Sequence, residues 1–338
     1  MHALTENTLK LANGTQFLYT DSDAPTDSAD YRTLVGFHGT GFNSATFDRL
    51  HQHAHNYNLR TIFVNRRDYR GSTPYSDEEM EDLNTGKEGA YEGVGLEVAQ
   101  ILEQLVDVGA QRMLVMAWSS GSTLLVSFLG NPDAIPSALN AKLQPRIEGF
   151  VIYDAVYQMV GAPPAPEVTM SFLTPEVIAG GPQSMSDAFE WWIAGHYVHP
   201  DLASGLPSCL FSGNATRSTI DALSPEERAR WCESAPGIRS WILPQNIAQV
   251  SATWMAQSNR AFFDTEAANK FFPATRVVYI AGDETVALCM WGYVGLRRRV
   301  EAEGAKRDIK FVLAPKQNHF MHYEAPEVFL KVILESFA

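Results

Sequence analysis

The sequence predicts an α/β fold: a mostly parallel central sheet, helices on both faces, and an inserted helical segment. Three observations carry this. Short apolar strand-like runs alternate with helix-period patterns in both terminal parts of the chain, and strands that read as continuous apolar runs belong to parallel sheets covered on both sides. The rhythm breaks between about 158 and 265 and then resumes. One apolar strand also passes straight into a helix through a very tight turn, in Met113-Leu114-Val115-Met116-Ala117-Trp118-Ser119-Ser120-Gly121-Ser122-Thr123-Leu124-Leu125.

In chain order, residues 7–20 read as a hairpin, with Leu9, Leu11, Phe17 and Tyr19 around the turn pair Asn13-Gly14. Thr33-Leu34-Val35-Gly36-Phe37 is a buried strand ending at His38-Gly39-Thr40-Gly41. Residues 44–56 look helical. Thr61-Ile62-Phe63-Val64 is the next strand, ending in Asn65-Arg66-Arg67-Asp68. Gly, Ser, Pro and acidic residues over 70–90 read as a long surface excursion. Val94, Val98, Ile101, Leu102 and Leu105 then stand at helical spacing. After the strand–turn–helix comes the strand Gly149-Phe150-Val151-Ile152-Tyr153, ending at Asp154.

The insertion is rich in Pro, Gly and aromatics, including Phe189, Trp191, Trp192, Tyr197, Trp231, Trp241, Trp254, Phe262 and Phe263, without a clean strand. Beyond it come the strand Thr275-Arg276-Val277-Val278-Tyr279-Ile280, a helix from about 289 to 303, the strand Ile309-Lys310-Phe311-Val312-Leu313 and a terminal helix at 326–337. The predicted organisation is a core of 1–157 and 266–338 with a helical cap at 158–265.

The chain has 338 residues, 45% hydrophobic and 19% charged, as expected of a soluble globular protein with a sizeable core. Its formal net charge of -13 argues against nucleic acid or an anionic membrane as partner. Met1-His2-Ala3-Leu4-Thr5-Glu6 has no signal-peptide character, and no apolar run reaches 18 residues, so no membrane span is expected. Cys209, Cys232 and Cys289 have neither metal spacing nor a disulfide framework, which fits a reducing cytoplasm and reads the sequons at Asn13 and Asn214 as chance. Nothing in the sequence indicates an oligomeric state.

Ser119 sits at the tight turn, with Ala117 and Gly121 two positions on either side. Such a turn strains its central residue and crowds the flanks, so only small side chains fit there. This is the physical content of G-x-S-x-G, with Ala in place of the first Gly. The Ser120 N–H, at the start of the helix, suits a developing oxyanion. On its own the pattern is also compatible with an ordinary loop. A serine hydroxyl needs a neighbouring base, and His319, between the last strand and last helix, falls at the same sheet edge. His322 reads as a surface residue near a helix start, and His38 as a residue that holds its loop by hydrogen bonds and packing.

His38-Gly39-Thr40-Gly41, the turn at Ser119, and Asn318-His319-Phe320 with Pro326-Glu327 beyond occur in the order of the α/β-hydrolase fold superfamily, which the chain resembles over nearly its whole length. Asn65-Arg66-Arg67-Asp68-Tyr69-Arg70-Gly71-Ser72-Thr73-Pro74-Tyr75 resembles a fungal branch of it, some members of which serve secondary metabolism, including cyclases of the vibralactone type. The resemblance implies a Ser119–His319 pair, an oxyanion site from the N–H groups of Ser120 and Thr40 (or Gly39), and no cofactor or metal. The family's usual acid position, three residues after Gly282, holds Thr285, which cannot ionise; Asp283 and Glu284 flank it out of phase. Other members carry the acid after the preceding strand, where this chain has Asp154. Asp154 is therefore favoured over Asp283, although an Asp there is also a common turn or cap residue. Trp118, Trp191 and Trp192 are candidates for substrate contact.

Competing patterns are weaker. Gly39-Thr40-Gly41-Phe42-Asn43-Ser44 with Arg66-Arg67 resembles a dinucleotide loop, but Ser44 replaces the third Gly. His51, His53 and His55 lack a third ligand of fitting spacing and read as a solvated helix face. Arg297-Arg298-Arg299 reads as a solvated helix end. The expected function is a serine hydrolase acting through an acyl-enzyme on an ester or lactone of a small hydrophobic molecule. Its alternatives are an intramolecular cyclase forming a lactone and a non-catalytic ligand receptor. A serine at the turn speaks against haloalkane dehalogenases and soluble epoxide hydrolases, which use Asp there.

Overall fold

The computed structural model describes residues 5–211, 213–240 and 247–338. Residues 1–4 and Trp241, both used in the sequence reading, lie outside the described residues.

The strands are β1 (Thr5–Lys10), β2 (Gln16–Asp21), β3 (Arg32–Phe37), β4 (Leu59–Val64), β5 (Met113–Trp118), β6 (Ile147–Tyr153), β7 (Arg276–Gly282) and β8 (Ile309–Ala314). They form one sheet in the order β1-β2-β4-β3-β5-β6-β7-β8. β1 and β2 pair antiparallel, with Leu9 opposite Phe17, as the hairpin pattern predicts. β2 joins β4 antiparallel, and every later pairing is parallel. Every residue of β4 and β5 is buried, because helices cover both faces of the sheet centre. The edge strand β8 stays partly open.

The helix Glu88–Asp107 buries Val94, Val98, Ile101, Leu102 and Leu105, the residues whose spacing predicted it. The 70–90 excursion lies mostly at the surface, as read, but it carries a helix the reading did not include. Ser76 and Glu79 form a reciprocal capping box that starts the helix Asp77–Asn84, and its Met80 is buried. Among the described residues, the segment between β6 and β7 holds the helices Pro175–Ala179, Gly181–Ile193, Pro225–Trp231, Ser234–Ser240, Ile247–Ser258 and Thr265–Lys270, with antiparallel bridges from Gly195 to Ser218 and from Cys232 to Phe42.

Two histidine readings are corrected. His322 is buried, with Nε2 3.1 Å from the Thr46 hydroxyl and Nδ1 3.2 Å from the Tyr153 hydroxyl. His51 is buried too, its ring nitrogens 2.7 Å from Thr61 Oγ1 and 2.9 Å from Thr20 Oγ1. Both are polar bolts through an apolar layer, and burial holds both rings neutral, His51 down to about 3. Arg299 is not a solvated end either. It donates to the Gly161 carbonyl at 2.7 Å and lies over the Phe263 ring.

Among the described residues, no three His, Cys, Asp or Glu side chains are grouped to hold a metal ion, and no helix is long and apolar enough to cross a membrane.

Candidate active site

The site begins where β5 ends. Ser119 has φ +57°, a left-handed conformation that L residues other than Gly rarely adopt, so the fold holds the serine under backbone strain. A Cβ on Gly121 would stand 2.5 Å from the His38 carbonyl oxygen, which makes Gly the residue that fits there. A Cβ on Gly39 would stand 2.8 Å from Ser119 Cβ. The loop after β3 therefore passes directly against the serine. That loop is braced from within. His38 is fully buried; its Nε2 accepts from the Arg66 N–H at 2.9 Å, so its Nδ1–H donates to the Gly39 carbonyl at 2.8 Å. Burial, with Arg66 nearby, pushes His38 down to about 3 and keeps it neutral for both bonds. The Thr40 and Ser120 hydroxyls lie 2.8 Å apart and tie the two loops together.

His319 follows β8 at the same edge and is buried. Its Nδ1 lies 2.8 Å from Asp154 Oδ2, so Nδ1 carries the proton toward the carboxylate and Nε2 is left with a lone pair. Asp154 follows β6, at φ +51°, and is buried. The Thr285 hydroxyl donates to the same Oδ2 at 2.6 Å, while Asp154 Oδ1 has no hydrogen-bond partner. Asp283 faces elsewhere. Its Oδ1 accepts from the N–H groups of Lys316 and Gln317 at 2.5 and 3.4 Å, which shapes the loop leading to His319. Glu284 pairs with His196 at 2.8 Å.

The His319 backbone is fixed from below. Its carbonyl accepts from Trp118 Nε1 at 3.1 Å and from the Tyr153 hydroxyl at 2.9 Å. Asn318 ties the same loop to the segment between β6 and β7, donating to the Ala194 carbonyl at 2.9 Å and to Thr219 Oγ1 at 2.8 Å.

Ser119 and Ser120 open on a cavity of about 1130 Å³, counting its mouth. Its walls are mostly apolar, with Met80 and Leu83 from the 70–90 segment, Leu124 from the helix after the serine, and Phe189, Ile193 and Trp254 from the segment between β6 and β7. The three tryptophans singled out in the sequence do not line it. Trp118 is fully buried beneath His319, with the two rings 4.9 Å apart. Trp191 donates to Asp221, and Trp192 donates to Ser171 and packs on Phe172. Phe189 and Ile193 are four residues apart and share a helix face, from which Trp191 turns away; Trp192, three residues from Phe189, packs beside the Phe189 ring and against Phe172.

A family model for the alpha/beta hydrolase family matches residues 34–332. The chain belongs to that family. Solved structures share the fold along nearly the whole length of this alpha/beta hydrolase. They include epoxide hydrolase VrEH1 from Vigna radiata, at 14% identity and TM-score 0.56 over 99% of this chain and 98% of that one. A bromoperoxidase from Bacillus anthracis aligns at 15% identity and TM-score 0.51 over 98% of each chain. The thioesterase domain from the curacin biosynthetic pathway aligns at 13% identity and TM-score 0.51, over 98% of this chain and all of that one (100%). At such identities the likeness is one of fold. No curated protein matches.

Sequence reasoning missed the part played by Tyr75, Met80 and Leu83 in the cavity wall. The helix-capping signal at Ser76 and Glu79 was the available clue. It also missed Arg66, which lines the cavity and donates to Ser120 Oγ at 3.2 Å.

Proposed function

We propose that this alpha/beta hydrolase uses Ser119 as nucleophile, His319 as base and Asp154 as the orienting acid, on an ester or lactone of a small hydrophobic molecule. The observation that carries the reading is the buried Asp154–His319 pair at the sheet edge where a strained serine opens on an apolar cavity. The chemistry follows from the charges. Ser119 Oγ attacks the carbonyl carbon as its proton passes to His319 Nε2, and the imidazolium formed is stabilised by Asp154. The carbonyl oxygen becomes an oxyanion, for which the backbone N–H groups of Thr40 and Ser120 are the proposed donors. The hydrogen bond between their side chains supports this role by holding the two loops together. Collapse expels the alcohol, which takes the proton from His319. Water, activated by the same histidine, then releases the acid. No step asks for a metal or cofactor. In this reading the helices between β6 and β7 act as the cap, and their Phe189, Ile193 and Trp254 supply the apolar wall that favours a hydrophobic acyl or alkyl group.

The test is covalent labelling with a fluorophosphonate, mapped by peptide mass spectrometry, together with turnover of an ester and lactone panel. Label on Ser119, lost in Ser119→Ala with a fall in turnover on the order of 10⁴-fold or more, is the expected result. Label on another residue, or near-normal turnover by Ser119→Ala, refutes the assignment. Product mass decides the fate of the acyl-enzyme: gain of one water means hydrolysis, and an isomer of the substrate means ring closure.

A further inference from the structure

A cation facing an apolar chamber is costly unless something pairs with it. The cavity beside Ser119 contains one such group. Among its lining residues Arg66 alone is charged, and no Asp or Glu lines the wall. The other polar groups there are neutral amides and hydroxyls, such as Asn84, Gln158 and Tyr91. Nearby arginines are paired: Arg67 with Glu79 and Glu97, and Arg70 with Glu6. Among the described residues no carboxylate lies within ion-pair distance of Arg66. Residues 1–4, Ser212 and 240–249 include no Asp or Glu. Arg66 Nη1 donates at 3.2 Å to Ser120 Oγ, on the residue next to Ser119, so the charge is held close to the proposed reaction centre.

We propose that the substrate carries a carboxylate a short spacer away from the reacting carbonyl, and that Arg66 binds it. The apolar remainder lies against Met80, Leu83, Leu124, Phe189 and Trp254. A guanidinium offers planar, paired N–H donors to a carboxylate, and water exclusion by the apolar walls strengthens the pair. The assignment rests on the ester-or-lactone reading and turns it into a narrower class, half-esters of short dicarboxylic acids or lactones bearing a free acid. It makes Arg66 a specificity-determining residue.

The test uses two nearly isosteric probes, hexyl hydrogen succinate and hexyl succinamate, the second with a neutral amide in place of the carboxylate. Equilibrium binding of each to full-length Ser119→Ala is measured by calorimetry, so turnover is not needed. The carboxylate should bind about 10- to 100-fold more tightly, the range expected for hydrogen bonds to a charged group. Arg66→Gln added to Ser119→Ala should abolish the preference, and Arg66→Lys should keep part of it. In the enzyme with Ser119 intact, the ratio of kcat/KM for the two probes should collapse in Arg66→Gln. Equal binding of the probes, no binding of the acid, or a preference that survives Arg66→Gln overturns the proposal. So does a fall in kcat/KM that is the same for both probes, which would make Arg66 a helper of the oxyanion. Because binding is read without chemistry, failure of the nucleophile assignment would show in the labelling experiment and leave this result standing.

Discussion

Replacing Thr285 by Val removes one of two hydrogen-bond donors from a buried carboxylate and nearly preserves shape. In the structure Asp154 Oδ2 accepts from Thr285 at 2.6 Å and from His319 at 2.8 Å, and Oδ1 accepts from nothing. A hydrogen bond to a charged group contributes about 1.5 to 3 kcal/mol, and here no water-exposed face offers a replacement. For 338 residues, an unfolding entropy of about 2.1 cal/mol/K per residue gives ~0.7 kcal/mol/K. The loss therefore corresponds to a fall in Tm of about 2 to 4 °C. A carboxylate held by one donor also orients His319 less tightly, and a positioning loss of about 1.4 kcal/mol is tenfold in kcat. Thr285→Ser, which keeps the hydroxyl and loses only a methyl group, serves as the control and should retain most of both. Melting curves and turnover of the three proteins at pH 7.5 make the measurement. If Thr285→Val melts within about 1 °C of the unaltered protein and turns over at its rate, the hydroxyl contributes nothing to the Asp154 cradle.

Two further outcomes follow from the same structure. Asp154→Asn should lower the rate by up to about 10⁴-fold with the fold retained, because the amide favours the wrong tautomer of His319. Asp283→Asn, whose native carboxylate only caps Lys316 and Gln317 N–H groups, should cost far less; the reverse order in purified variants of matched Tm moves the acid to the loop after β7. His51 is held neutral in the folded protein by burial, near 3, below the ordinary histidine value. Its contribution to stability is thus complete above about pH 6.5 and drains away as pH falls toward 3. The stability advantage of the unaltered protein over His51→Asn should narrow by ~1.4 kcal/mol per pH unit between about pH 6 and pH 4, read by urea unfolding. A difference that does not change with pH refutes that account.

The centre of the sheet was legible because its strands, such as β4 and β5, are continuous apolar runs, a signal that needs no knowledge of distant partners. The turn at Ser119 was legible for the same local reason: the steric demand falls on residues two positions away. The placement of His319 at that edge followed from strand order. What stayed hidden depends on groups far apart in sequence. His51 and His322 look like surface residues until Thr20, Thr61, Thr46 and Tyr153 are brought beside them. Trp191 and Trp192 drew attention by size, yet the face of helix Gly181–Ile193 that meets the cavity holds Phe189 and Ile193. Size says how much a residue buries, and only the helix's orientation says against what. Arg66 was read as one half of a basic pair. Its neighbour Arg67 takes Glu79 and Glu97, and the turn that follows β4 separates the two side chains.

The bonds from Asn318 to Ala194 and Thr219 have a consequence for how this molecule can diverge. The segment that shapes the cavity also anchors the loop carrying His319. Wholesale exchange of the helices between β6 and β7 with those of a relative would unmoor that loop unless the Ala194 carbonyl and the Thr219 hydroxyl were reproduced. New preferences are therefore open to change one side chain at a time, at positions such as Phe189, Ile193 and Trp254. Large modular swaps are penalised through the histidine.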